Sequence, residues 1–507
     1  MNVLVLNLGM KSIRSIIFDQ DGRKLSSASR PLKSAINNTR VEQYPEEWWE
    51  KAIEVMQISV KDAGTDQIDY ITVTASASCL VCLQKDGTPY KYCLMVSDKR
   101  SIAEVDEIRN APAYKKAEED SGLEVTVSVM LPKILWMKKY KPEVFDYTHY
   151  FLTPNDFMIY QLCGQACTDE LNAIKYQYSI NNNAYPSELL NQLGIPESKL
   201  PIVVRTGELA GIMHPEISKQ IGCKEGTKVV VTSYDAICSF IGSGVSDEGE
   251  ASDVSGTVTV FRMLSKKDEL IHSGKTYITP FNQGNFNIIG GSNNLGGGLI
   301  EWVKQCFYAN EANPYELMEK DASESELGAR GIIFLPYLLG ERFPLWNDSA
   351  RGVFFGLERM HTRKDTTRAV FEAAAFIDRT MMEAIQETSA EVTTIRLSGG
   401  LARVNLISQI KADVTGKEVI VLSEFETTAS GAAMMVLNGQ EHIPFSELTN
   451  FSRKRMTIHP DMENHAKYNQ LYKLFKETYK TLEPMFERRL ELLKTISNNK
   501  EIQIENL

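Results

Sequence analysis

Each half of the chain opens the same way, and this restricts the fold more than any other feature. Residues 3–8 form an apolar run of strand length, Gly9 follows in a turn, and residues 15–18 form a second strand that ends at Asp19-Gln20-Asp21-Gly22. The pattern restarts after Thr227. Residues 228–232 read as a buried strand, and residues 253–264 as a new hairpin with Gly256 and Thr257 at its turn. No residue-level repeat of fixed period accompanies the restart, so it predicts two copies of one α/β architecture rather than a repeat array. A length of 507 residues also exceeds what one core accommodates. The predicted boundary lies near Val245-Ser246-Asp247-Glu248-Gly249, giving domains 1–246 and 247–507.

Between these hairpins the periodicity predicts a helix over 45–60, a strand pair over 68–83 closed by Lys85-Asp86-Gly87, and a helix over 367–388. Residues 396–400 read as a strand running into a glycine turn. Tyr468, Leu471, Tyr472, Phe475, Tyr479 and Leu482 recur at spacings of three and four, which predicts an amphipathic helix packed on the second domain.

A net charge of -11 without a Lys/Arg block argues against a nucleic-acid partner. The apolar N-terminus is only strand-long, and no apolar run approaches the roughly 20 residues of a membrane span. Eight scattered cysteines suit a reducing, cytoplasmic compartment. Cys79 and Cys82 form a CxxC inside a strand-like run with no second pair, so buried free thiols are expected rather than zinc ligands.

Two glycine turns between strands, Gly9-Met10-Lys11-Ser12 and Gly256-Thr257, allow close approach of a phosphate to backbone. Neither is a GxxxxGK[ST] loop. Gly290-Gly291 and Gly296-Gly297-Gly298 add further backbone access. Asp235 follows the strand at 228–232, where a carboxylate points toward the ligand crevice of an α/β sheet and accepts a hydroxyl proton. Equally, an Asp there is a common helix N-cap, and spacing leaves both readings open.

Residues 340–357, GERFPLWNDSARGVFFGL, resemble the second-domain signature of the FGGY carbohydrate kinases. So do His361-Thr362-Arg363, residues 368–376 (RAVFEAAAF), 42–49 (EQYPEEWW), 132–136 (PKILW), Thr168-Asp169, 413–417 (DVTGK) and 430–433 (SGAA). The matches run in family order from residue 3 to about 480. The resemblance implies two ribonuclease-H-like lobes of the actin-like ATPase fold flanking a central cleft. It implies transfer of the γ-phosphate of ATP, with Mg2+, to a small carbohydrate, and a homodimer. By position, Asp235 resembles the catalytic base. Gly9, Lys11, Ser12 and Arg14 lie in the first phosphate loop, and Gly256 and Thr257 in the second. Gly399, Gly400 and Asn405 match the adenosine segment.

The chain departs from that pattern at Asn7, where the family has a magnesium-holding Asp, at Met10, where it has Thr, and at Val258, where it has Ser. In the first-domain sugar segment, members resembling xylulokinase have Ser-Gly-Gln-Met-His-Gly. Here the sequence is Thr74-Ala75-Ser76-Ala77-Ser78-Cys79, which leaves Ser76 and Ser78 as substrate-contact candidates. An active kinase for a sugar, polyol or sugar acid is the expected function, and a catalytically impaired ligand sensor of the same fold is the alternative. An actin-like structural ATPase is a third class, against which the 340–376 block speaks.

Overall fold

The computed structural model describes residues 1–496, apart from 257, 267, 269, 272, 273, 284, 295, 389 and 424–426. The chain divides into two compact units. One comprises Met1–Ser246, Ile278–Asn287 and Glu426–Arg453, the other Asp247–Tyr277, Ile288–Phe425 and Lys454–Leu507. The second unit is therefore not the whole of 247–507, because two later segments return to the first.

The first unit is built on strands β1 (Asn2–Leu8), β2 (Ser12–Asp19), β3 (Lys24–Pro31), β4 (Tyr70–Ala75), β5 (Leu209–Ile212) and β6 (Lys228–Val231), in the order β5-β6-β4-β1-β2-β3. β4 is parallel to both β1 and β6, while β2 and β5 run antiparallel to their neighbours. Residues 3–8 and 70–75 are buried without interruption. That is the pattern of strands covered on both faces, and it explains why they read as continuous apolar runs. The second unit contains β7 (Glu250–Ser255), β8 (Thr259–Ser265), β9 (Thr394–Gly399), β10 (Glu418–Leu422) and β11 (Lys454–Ile458), in the order β8-β7-β9-β10-β11. Its pairings run antiparallel, parallel, parallel, antiparallel. The β2-β1-β4-β6-β5 series of the first unit has the same succession.

One expected pairing differs. Residues 68–83 do not form a strand pair: β4 joins the central sheet, whereas Val81–Leu83 pairs with Tyr150–Leu152. The turn residues 76–79 separate two runs that are both apolar, and sequence alone does not say which partner each run takes.

The helix Pro45–Ala63 starts with Pro at its first turn and Glu46 and Glu47 beside its positive end, and it stops at Gly64 in the left-handed region. Its buried Trp48, Ala52, Val55 and Met56 follow the helical period. Thr362 and Asp365 form a capping box at the start of Arg363–Gln386. The terminal helix Met462–Ile496 buries Tyr468, Tyr472, Phe475 and Tyr479, the stripe its spacing predicts. Among the described residues no helix is long and apolar enough to cross a membrane.

Within the first unit, helix Asp235–Gly242 lies against helix Thr428–Glu441 with main chain touching main chain. A Cβ on Gly431 would fall 1.8 Å from the Cys238 carbonyl oxygen, and one on Gly242 would fall 1.9 Å from that of Thr427. Only glycine fits at either point.

Candidate active site

β1, β4 and β6 are adjacent and parallel, so their C-terminal ends lie side by side, the edge at which α/β sheets bind ligands. Three candidate segments emerge there: the turn at Gly9 after β1, Ser76 after β4, and Asp235 four residues beyond β6. The Ser76 hydroxyl donates to Asp235 Oδ2 at 3.2 Å. Asp235 is the first residue of its helix, and the N-cap position belongs to Tyr234. The N-cap reading of Asp235 is thereby overturned. In the first helical turn the main-chain N–H groups favour an anionic side chain, as does the serine donor. Ser78 is 2% exposed, with its backbone in the left-handed region, so of the two serines it is Ser76 that meets the carboxylate.

Buried polar residues hold the turn that carries Asp235. Asp169 accepts from the Ser233 hydroxyl at 2.8 Å and from Asn172 Nδ2 at 2.7 Å, while Asn155 Nδ2 donates to the Ser233 carbonyl at 3.2 Å. Thr168-Asp169 was legible only as part of the resemblance. The adjacent acidic residues Asp169 and Glu170 in the run 167–174 are the signal in the sequence that points there. Burial pushes the carboxyls of Asp156 and Glu170 up to about 7 and raises that of Asp169. Asp156 ordinarily titrates near 3.8, so the folded chain keeps its proton over a range in which the unfolded chain has lost it. Its contribution to stability is complete at acid pH and is lost as pH rises toward 7. The Asp156→Asn variant should therefore gain unfolding free energy relative to the parent as pH rises from about 4 to about 7 in urea titrations. A difference that stays constant with pH would exclude this titration.

At the first turn, Asn7 is buried opposite Arg14 on β2 and Thr74 on β4. Met10 packs its side chain against the hydrophobic core, and its carbonyl accepts from Gln43 Nε2 at 2.8 Å. Lys11 is exposed and Ser12 begins β2. Arg100 is committed elsewhere: Asp98 and Glu42 pair with its guanidinium at 2.8 and 2.5 Å, and it lies over the Trp136 ring.

In the second unit β7 and β9 are adjacent and parallel, and Gly256 and Gly400 follow their ends. Gly399 has φ +85°, and a Cβ there would lie 2.4 Å from the Ser255 carbonyl oxygen. The two glycine turns share a property that sequence did not foretell. Gly9 N–H donates to Ser12 O at 3.0 Å and Gly256 N–H to Val254 O at 3.2 Å, so each glycine offers room rather than its own donor. A Cβ at Gly9, Gly256 or Gly400 would meet nothing closer than 3.5 Å, which leaves the backbone open to a close ligand. Gly290 and Gly291 are instead packed against Phe261 and Phe343, and Gly297 N–H is used by the Gly256 carbonyl at 2.6 Å. Asn405 starts helix Asn405–Thr415 and accepts from Arg455 at 2.8 Å. Thr257 lies outside the described residues.

The sequence profile of the N-terminal domain of the FGGY family of carbohydrate kinases matches residues 2–242, and that of its C-terminal domain matches residues 251–437. The chain is 28% identical to xylulose kinase of Bacillus subtilis (strain 168), over 94% of this chain and 96% of that protein. It is 25% identical to gluconokinase of the same organism, over 96% and 94%. The crystal structure of ligand-bound xylulose kinase from Lactobacillus acidophilus superposes with a TM-score of 0.88 at 22% identity, covering 96% of this chain and 99% of that one. The glycine-turn hairpins, the parallel strand ends and these matches agree: the chain belongs to the FGGY family of carbohydrate kinases and is a sugar kinase.

Proposed function

We propose that this kinase transfers the γ-phosphate of ATP to a hydroxyl of a small sugar, polyol or sugar acid, with Asp235 as the general base. The observation that carries this reading is the Ser76–Asp235 contact at the shared edge of β4 and β6. Asp235 takes the proton of the sugar hydroxyl as its oxygen attacks phosphorus, and Ser76 orients the carboxylate. The turns at Gly9 and Gly256 receive phosphates, with Lys11, Ser12 and Arg14 on the first. Gly399, Gly400 and Asn405 face the adenosine portion.

Among the described residues no group of three or more His, Cys, Asp or Glu side chains could hold a metal. Asn7 offers one neutral amide oxygen, a weak donor for a hard cation. A magnesium ion arriving with ATP would be held mainly by its phosphates and water, with Asn7 as a weak protein donor.

The test is ADP release from Mg-ATP against a panel of pentuloses, hexuloses, polyols and sugar acids. Release that depends on one compound supports the reading and names the substrate. The inward packing of Met10 favours a second reading, a ligand-sensing protein that binds without transferring. ATP binding together with silence across the panel would select it.

A further inference from the structure

We propose that Lys411 is a positioning residue for the turn at Gly256, acting through Asp253, Asp378 and Ser255. The proposal rests on the nucleotide reading of that turn and adds what holds it in place.

Lys411 projects from helix Asn405–Thr415 into the interior of the second unit, where its side chain is 2% exposed. Its ammonium pairs with Asp253 on β7 and, at 2.7 Å, with Asp378 on helix Arg363–Gln386. The two carboxylates are 0% and 3% exposed. The same ammonium donates to Ser255 Oγ at 3.1 Å, and Ser255 Oγ donates to Asp253 Oδ1 at 2.6 Å. Ser255 Oγ also lies 3.2 Å from Thr259 Oγ1, on the far side of the turn. Lys411 and Asp253 thus meet at the residue that immediately precedes Gly256, with Asp378 held behind them on the Lys411 ammonium.

Stability is a poor reason for this arrangement. A buried ion cluster costs about as much in desolvation as its attraction returns, and apolar residues of similar volume commonly replace one at no loss. The charges are also unequal, two acidic groups against one basic. Burial, with Asp253 next, pushes the Asp378 carboxyl well above the usual range. Burial opposes the Lys411 charge, but Asp253 and Asp378 outweigh it.

What the network supplies is directional geometry at Ser255. Its carbonyl oxygen is the atom that Gly399 approaches so closely, and the Gly256 carbonyl accepts from Gly297. Fixing Ser255 therefore fixes both glycine segments at once. Ligand-holding groups must be placed within about 0.5 Å by the residues behind them, and hydrogen bonds add a direction that apolar packing does not supply.

The test compares wild type with the D253L/D378L/K411M triple variant, reading ATP affinity by calorimetry and thermal unfolding in parallel. The expected result is an unchanged or higher melting temperature with ATP affinity about tenfold weaker, or about 1.4 kcal/mol. Should the triple variant not fold, Ser255→Ala cuts the link between network and turn with little change in volume, and is expected to weaken ATP about threefold while remaining folded, with a lower melting temperature from the lost buried hydrogen bonds. ATP bound equally by wild type and by a folded variant would overturn the proposal alone. A wild type that binds no ATP would overturn the nucleotide reading and this proposal with it.

Discussion

Replacing Asp235 by Asn lowers sugar-dependent ADP formation by about a thousandfold and leaves ATP affinity within about twofold of the parent, the loss expected when a positioned general base is removed. The amide keeps the size of the carboxylate and its ability to accept from Ser76, so the helix N-terminus is not disturbed. What is lost is the capacity to take the hydroxyl proton. The measurement is a coupled ADP assay with the sugar that the panel identifies, beside calorimetry with ATP. Turnover within threefold of the parent would remove Asp235 from the chemistry.

The second large effect concerns Gly431. An Ala there must place its methyl carbon 1.8 Å from the Cys238 carbonyl oxygen and 2.6 Å from the Gly242 nitrogen. Both are main-chain atoms of the helix that begins with Asp235, and neither can rotate away as a side chain would. Overpacking in cores commonly costs about 1–3 kcal/mol. With main chain on both sides, the upper end is the expected minimum. A fall in melting temperature of about 6 °C or more should follow, with loss of activity because the displaced helix carries Asp235. A melting temperature within a degree of the parent would show that the two helices separate freely.

How much of this was readable depends on the range over which the determining interaction acts. The hairpins at Gly9 and Gly256 were legible because each is local: an apolar run, a glycine and a second run settle the turn. Asp235 was legible as a carboxylate beyond a strand end, but whether it caps its helix was not, since that turns on where the helix starts by one residue. The partner of Val81–Leu83 was hidden because two apolar strands pair equally well on paper. The Lys411 network was illegible for a stronger reason: Lys411 and Asp253 are 158 residues apart, and a sequence records charges without distances. The room offered by the glycine turns was legible, whereas the use of their own N–H groups inside the turn was not.

The discontinuity of the first unit has a bearing on how the protein is made. Helix Thr428–Glu441 supplies the surface against which the Asp235 helix is pressed, yet a ribosome delivers it almost two hundred residues later. The nascent first unit therefore waits, with the Gly242 face of that helix uncovered, while Asp247–Tyr277 and Ile288–Phe425 of the second unit emerge. A strictly sequential order, with the first unit finished before the second begins, does not match the way this chain is divided. The first unit is complete in sequence only at Arg453, so its fold closes after much of the second unit has emerged.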